Sequence, residues 1–457
     1  MRMTFRRRAL AGLAALAVIV AACAGDDEPH VGVDEDPDLD TEVTLSYWLW
    51  DSNQLPAYEQ CASDFTAESG IDIDFELFGW DDYWSNLTTQ FTAGRAPDVF
   101  THHLAFYPEF VESEVLIPLD DFIERDAVDM DQYFPGLADL WQGQDGQQYG
   151  LPKDWDTIAL IYDEQQLEEA GLSPEDVNQA TWNAEDGGSF EQLIARLTID
   201  ANGVRGDEDG FDADNVEVHG FGYYNPAEAA GQANWSGFAR SIGFTHLADE
   251  NPWGVDYQFD DPALAATLVW WREMIEAGYA APLEAVQGLG PATLFETGDT
   301  ALTVDGSWTV GTYTGLGREV GFAPLPEGPE GRWSMFNGLA DSITINTDHP
   351  EEAWAWVRYL GSLDCQRIVG ENAIVFPAIE EASEVAQQAY ADLGVDVGAW
   401  TLYLEQETTF LFPVTDNFDR VNAEMAPAVE EILLGRADAT ERLEQVQSAV
   451  DGIMGSG

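Results

Sequence analysis

Several short runs join a flat ring to a hydrogen-bonding group just where a strand pattern stops: Trp50-Asp51, Gly79-Trp80-Asp81 and Thr101-His102-His103. Tyr223, Tyr224, Asn225 and Trp235 fall in a loop-rich stretch, and Phe336-Asn337 precede an expected turn at Gly338. Aromatic rings bury area with little loss of side-chain entropy. Carboxylates, amides and hydroxyls satisfy the polar edge of a buried guest. In open α/β sheets such groups work from the C-terminal ends of strands, so the chemistry on offer is capture rather than bond-breaking. No GxSxG elbow, HExxH pair or P-loop is present. His102 and His103 are adjacent, but no further His/Cys cluster joins them, so no metal and no cofactor are expected. Core packing is the plainer account of any one ring, and Trp48 and Trp50 alternate so that one faces inward.

The elements that must position these groups follow from periodicity. Residues 43–50 read as a strand, and Ser52 or Asn53 as the cap of a helix with Pro56 in its first turn. Residues 71–77 alternate strictly, 83–91 read as a helix and 98–100 as a third strand. Strand and helix in turn predict a parallel sheet with helices on its faces. Farther on, 201–215 read as a Gly/Asp-rich loop, and Asp261-Pro262 opens a helix with Leu264, Leu268, Trp271 and Ile275 on one face. Residues 301–304 and 342–345 read as strands, Pro350 opens another helix, and 417–454 are helical in pattern.

The N-terminus carries Arg6-Arg7-Arg8, an apolar run over 9–22, then Val20-Ala21-Ala22-Cys23 at its end. A membrane-spanning helix needs about 20 apolar residues, so this run predicts a lipoprotein export signal with Cys23 lipidated after cleavage. Arg7-Arg8 leaves Sec and twin-arginine routes both open. The 457-residue chain is long enough for two or three domains. Four of the 18 basic residues and none of the 85 acids precede Cys23, leaving 14 against 85, a net of −71. That charge repels nucleic acid and anionic headgroups. The acids are spread over the whole chain, as suits a solvated surface in high salt, where the Debye length falls to about 3 Å at 1 M; cation binding is the alternative. Lys153 is the sole lysine. Cys61 and Cys365 each sit on a helical stripe and are either a disulfide or two buried thiols.

Six stretches resemble one family in order and spacing: Ala96-Pro97-Asp98-Val99-Phe100, Leu116-Ile117-Pro118-Leu119-Asp120, Tyr149-Gly150-Leu151-Pro152-Lys153-Asp154-Trp155-Asp156-Thr157, Phe295-Glu296-Thr297-Gly298-Asp299 with Asp305-Gly306-Ser307-Trp308, Gly321-Phe322-Ala323-Pro324, and His349-Pro350-Glu351-Glu352-Ala353-Trp354. Together they are similar to the extracellular solute-binding proteins of family 1, the maltose/oligosaccharide-binding components of ABC importers. The resemblance implies a periplasmic-binding-protein-like α/β fold: two α/β lobes with multiple hinge crossings and a cleft between them. It divides the chain into a signal (1–22), a disordered acidic tether (23–40), an N-terminal lobe (41–153 plus 320–375) and a C-terminal lobe (154–319 plus 376–457). Cys61 and Cys365 then share a lobe, which favours the disulfide.

The implied ligand is a sugar or oligosaccharide, held by Trp50, Asp51, Trp80, Thr101, His102, His103, Asp154, Trp155, Tyr162, Tyr224, Trp235, Trp308 and Asn337. Tyr162 and Trp308 are carried over from family positions; the histidine pair departs from the family pattern. The implied partners are the ABC permease subunits and the membrane through Cys23, for a monomer on the outer cell face or in the periplasm that is not an enzyme. Two rivals remain open from the residues: a glycoside-acting enzyme with a Trp-lined cleft, and a binder of a cationic amine or peptide.

Overall fold

The computed structural model describes Val33, Asp34 and residues 37–455; the export signal and Cys23 lie outside the described residues. The strands in chain order are β1 (Thr44–Leu49), β2 (Asp72–Leu77), β3 (Val99–His103), β4 (Leu151–Asp156), β5 (Ile158–Asp163), β6 (Ile199–Asp200), β7 (Val216–Val218), β8 (Leu302–Gly306), β9 (Val320–Pro324), β10 (Ser334–Ile343), β11 (Phe376–Pro377) and β12 (Thr409–Leu411). They form a seven-stranded sheet in the order β11-β4-β10-β3-β1-β2 with β12 beside β10, a three-stranded sheet β8-β5-β9, and the small pair β6-β7. This is the two-lobed α/β architecture expected of a binding protein with hinge crossings.

The large sheet is mixed rather than parallel. β1 runs parallel to both β2 and β3, as the alternation of strand and helix requires. β10 runs antiparallel to both β3 and β4. The reason is connectivity: β10 enters the large sheet from the small one, so it starts where β1 and β3 end. Consecutive strands mark the switches. β4 belongs to the large sheet and β5 to the small, with Thr157 alone between them; β9 belongs to the small sheet and β10 to the large.

Helices cover both faces of the large sheet. α1 (Leu55–Ser69) puts Tyr58, Cys61, Ala62 and Phe65 inward, the stripe its spacing predicts. Its N-cap is Gln54 rather than Ser52 or Asn53, while Asp51 turns back to accept from Asn53 N at 2.8 Å. α2 (Trp80–Ala93) packs Tyr83, Trp84 and Leu87 beneath Trp48 and Phe100. Cys61 and Cys365 are joined as a disulfide between α1 and the helix Leu363–Glu371. The tail forms two helices, Phe418–Leu433 and Ala439–Met454, which pack on the helix Pro262–Glu276. Asp34 N and Asp40 N donate to Glu351 and Glu352 at the start of the helix Pro350–Leu360, so this part of the acidic N-terminal segment lies against the body.

Gly338 is not a turn. It lies within β10 beside a register shift at Leu339/Ala340, and a Cβ there would sit 2.5 Å from the Asp154 carbonyl oxygen. The glycine allows β10 to lie close against β4.

Candidate functional site

The C-terminal ends of β1, β3 and β4 and the N-terminal end of β10 meet at one edge of the large sheet, next to the switch at Thr157. A chain of polar side chains crosses this edge. His103 Nε2 lies 3.1 Å from the Asn337 amide, which lies 3.2 Å from Asp156 Oδ2. Gln232 Nε2, from a loop attached to the small sheet through Gly222, donates to Asp156 Oδ1 at 2.9 Å. The Gln232 backbone N–H in turn donates to Glu228 Oε1 at 2.8 Å. The chain therefore joins groups carried by both sheets.

Burial decides the charge state of these groups. It pushes Asp154 and Glu228 up to about 7, and raises Asp51. Asp156 is held well above the carboxylate range, first by burial and then by the neighbouring charge of Asp154. Burial drives His103 down to about 3, so its ring is neutral. The Ala105 N–H donates to His103 Nδ1, which leaves the ring proton on Nε2. The Asn337 orientation that accepts this proton turns Oδ1 toward both His103 and Asp156 and leaves the amide nitrogen as its unpartnered atom. Asp156 Oδ2 then faces an acceptor and must supply a proton itself, in agreement with its raised pKa. From His103 to Gln232 the chain is thus polar and uncharged.

Rings flank it. Trp50 meets Trp80 edge-on at 5.1 Å and Tyr83 at 5.0 Å. Trp80 is 40% exposed although its ring also lies 5.3 Å from that of His103. Such an exposed indole on a packed base offers a stacking surface. Phe412 approaches His103 from the other side, 5.5 Å away edge-on. On the small sheet, Trp308 follows β8 and lies folded over Gly306, which pairs with Ile158 beside the switch. Tyr224, exposed, is on the same loop as Gln232.

The structure therefore brings together Trp50, Asp51, Trp80, His103, Asp154 and Asn337 at the edge of the large sheet, and places Trp308 and Tyr224 on the small-sheet side of the switch. It sets the other five expected residues elsewhere. Thr101 is buried and hydrogen-bonded to Asp341, with the Tyr47 hydroxyl 2.8 Å away. His102 alternates to the opposite face, among Phe100, Tyr107, Phe110 and Trp141. Trp155 is stacked on Phe376 at 4.6 Å within the core. Tyr162 pairs with Leu302 while Ile158 pairs with Gly306, so Tyr162 stands at the far end of the small sheet, folded over Gly321. Trp235 is fully buried behind the Gln232 loop, donating to Pro226 O. Asp156 and Gln232 are the residues the sequence reading missed. Asp156 was legible from the alternation of β4, which puts it on the same face as Asp154; nothing in the local pattern points to Gln232. Among the described residues no group of three or more His, Cys, Asp or Glu side chains could hold a metal ion, and no helix is long and apolar enough to cross a membrane.

Comparison with known proteins matches this frame. A model of the bacterial extracellular solute-binding proteins matches residues 51–364. A putative binding protein of Brucella abortus (strain 2308) is 23% identical, covering 97% of both chains. The diacetylchitobiose binding protein DasA of Streptomyces coelicolor is 26% identical over 35% of this chain and 37% of its own. The solved ABC substrate-binding protein Lmo0181 from Listeria monocytogenes, in complex with cycloalternan, superposes with a TM-score of 0.77 at 19% identity, covering 90% of this chain and 99% of its own. A match running from the end of β1 through both strand switches to the disulfide-bearing helix is a match to the two-lobed frame, not to one motif. The chain belongs to the bacterial extracellular solute-binding protein family, whose sugar- and oligosaccharide-binding members are components of ABC importers.

Proposed function

We propose that this protein captures a neutral sugar or oligosaccharide between its lobes and delivers it unaltered to an ABC import permease. A lipid on Cys23 holds it to the outer face of the membrane. The lobes are taken as 41–153 with 320–375 and 154–319 with 376–457, adjusted so that the chain changes lobe at Thr157, between β9 and β10, and after the helix Glu380–Asp392, since β11 pairs with β4. The observation that carries the reading is the uncharged polar chain from His103 through Asn337 and Asp156 to Gln232, beside the Trp50–Trp80 pair. A sugar offers apolar C–H faces to indoles and hydroxyls to neutral donors and acceptors. Residue contacts from both lobes stabilise the closed form, so ligand shifts the population toward it. Nothing in this scheme breaks a bond in the guest.

The test is a thermal-shift screen against maltose, maltotriose, diacetylchitobiose and related glycans, with chromatography of the recovered sugar. A ligand at 100 times its Kd should stabilise the protein by about 2.7 kcal/mol and come back intact. Multiple turnovers of cleaved product would overturn the reading, as would a complete absence of shift across neutral glycans. One observation favours a second reading: Asp154 Oδ2 is buried without a partner, and a cationic amine would pair with it. Affinity for such a ligand falls steeply with added NaCl, whereas affinity for a neutral sugar does not.

A further inference from the structure

Lys153, the only lysine in the chain, is 2% exposed and lies inside the large sheet. Its Nζ donates to Tyr47 Oη and to Thr101 Oγ1, both at 2.9 Å, and stands 3.5 Å from Asp341 Oδ1. It also sits over the Tyr58 ring, 4.0 Å from the centroid. The two hydroxyls settle the proton inventory. Tyr47 donates to Asp341 Oδ1 at 2.7 Å and Thr101 donates to the same oxygen at 3.0 Å. Each hydroxyl has a single hydrogen, spent on Asp341, so each turns lone pairs to Nζ. This pattern suits an ammonium beside an ionised carboxylate, with both hydroxyls accepting from Nζ and donating to the same Asp341 oxygen. It is an ion pair bridged by two hydroxyls in a place where an unpaired charge would cost several kcal/mol.

What matters is where the partners stand. Tyr47 is on β1, Thr101 on β3, Lys153 on β4, Asp341 on β10 and Tyr58 on α1. Each lies within four residues of a group at the cleft edge: Trp50 and Asp51 after Tyr47, His103 after Thr101, Asp154 and Asp156 after Lys153, Asn337 before Asp341, Gln54 one helical turn before Tyr58. At about 3.3 Å per residue along a strand, one ammonium ties together the supports of the whole large-lobe side of the site.

We infer that Lys153 is a positioning residue for ligand capture: its ammonium holds the cleft-side ends of β1, β3, β4 and β10 in mutual register without touching the guest. The inference rests on the cleft being the ligand site, so its decisive measurement is made without ligand. Full-length protein is compared with Lys153→Met and with the paired Lys153→Met/Asp341→Asn. The single variant leaves Asp341 unpaired and should melt early. The paired variant removes both charges, so its melting temperature should return close to that of the native protein. A merely structural role would be satisfied at that point. Positioning would not: hydrogen exchange followed by mass spectrometry should run about tenfold faster in peptides covering 47–54, 101–106, 153–157 and 335–341. Peptides covering 158–163 and 302–306 of the small sheet should keep the native rate. Native exchange at the cleft-side ends of the paired variant, or an equal rise in both sheets, would overturn the inference. A paired variant that fails to regain its melting temperature is read by the same contrast between the two sheets. In a second arm, the glycan giving the largest shift with native protein should bind the paired variant at least about tenfold more weakly. If no glycan shifts the native protein, the sugar reading falls while the exchange result still decides the role of Lys153.

Discussion

Replacing Asp154 by Asn should stabilise the protein, and the gain should depend on pH in a defined direction. Asp154 is buried, accepts from Leu339 N at 2.9 Å through Oδ1, and has no partner at Oδ2. Burial is the dominant cause of its rise to about 7; the charge of Lys153 and the Leu339 bond oppose it only in part. An unfolded aspartate titrates near about 3.9. Because the folded value is the higher one, the folded state holds the proton more tightly. The native carboxyl is therefore best tolerated below pH ~4, and its contribution is lost as pH rises from ~4 through ~7. The shift is about three units, and each unit is worth about 1.4 kcal/mol, so the full swing is on the order of 4 kcal/mol. Asn keeps the shape and can still accept from Leu339 N, but has no charge to bury. Urea unfolding followed by tryptophan fluorescence should find native and variant similar near pH 4.5. At pH 8 the variant should be ahead by about 3–4 kcal/mol. Relief of Asp156, whose pKa the Asp154 charge helps to raise, adds in the same direction. A difference that is flat with pH, or that grows toward acid, would refute the claim that Asp154 is an uncompensated buried carboxyl.

Three further outcomes follow from the same geometry. Trp308→Ala should weaken glycan binding by about 1–3 kcal/mol, while Tyr162→Phe, at the far end of the small sheet, should leave affinity unchanged in calorimetric titration. Gly338→Ala forces a Cβ to within 2.5 Å of the Asp154 carbonyl oxygen and 2.9 Å of Leu137 Cδ1, and should lower unfolding stability by about 1–3 kcal/mol. Substituting both Cys61 and Cys365 by Ser opens a bridge that spans 304 residues of sequence, and chemical denaturation should register a loss of about 4 kcal/mol.

How far the site could be read in advance depended on where each residue's partners lie. The first three strands were legible because β1, β2 and β3 each announce themselves within seven or eight residues, and the rings that follow them fall at the cleft by simple continuation. Trp50, Trp80 and His103 were named as candidates that way. β10 gave such a signal only at its last two residues, where the strand read at 342–345 overlaps it. Ser334, Asn337, Asp341 and Ser342 are polar yet buried, so they break any apolar alternation, and Gly338 looks like a turn. Asn337 and Asp341 find their partners in Asp156, Thr101 and Tyr47, all remote in sequence, and a local pattern contains no trace of such partners. The same argument explains the errors over single rings. Trp155 and Trp235 are as aromatic as Trp50, and only the stacking of Trp155 on Phe376 and the position of Trp235 behind the Gln232 loop separate core from cleft. Tyr162 is a different case, because register sets it apart: five residues along from Thr157 is about 16 Å, beyond the reach of a single sugar ring seated beside the switch. Periodicity therefore finds strand ends, register ranks the residues along them, and the polar residues of a doubly buried strand become intelligible only once their distant partners are in place. Lys153 shows this most sharply, since the partner of a lone lysine among 85 acids is identifiable only once the four strands around it are assembled.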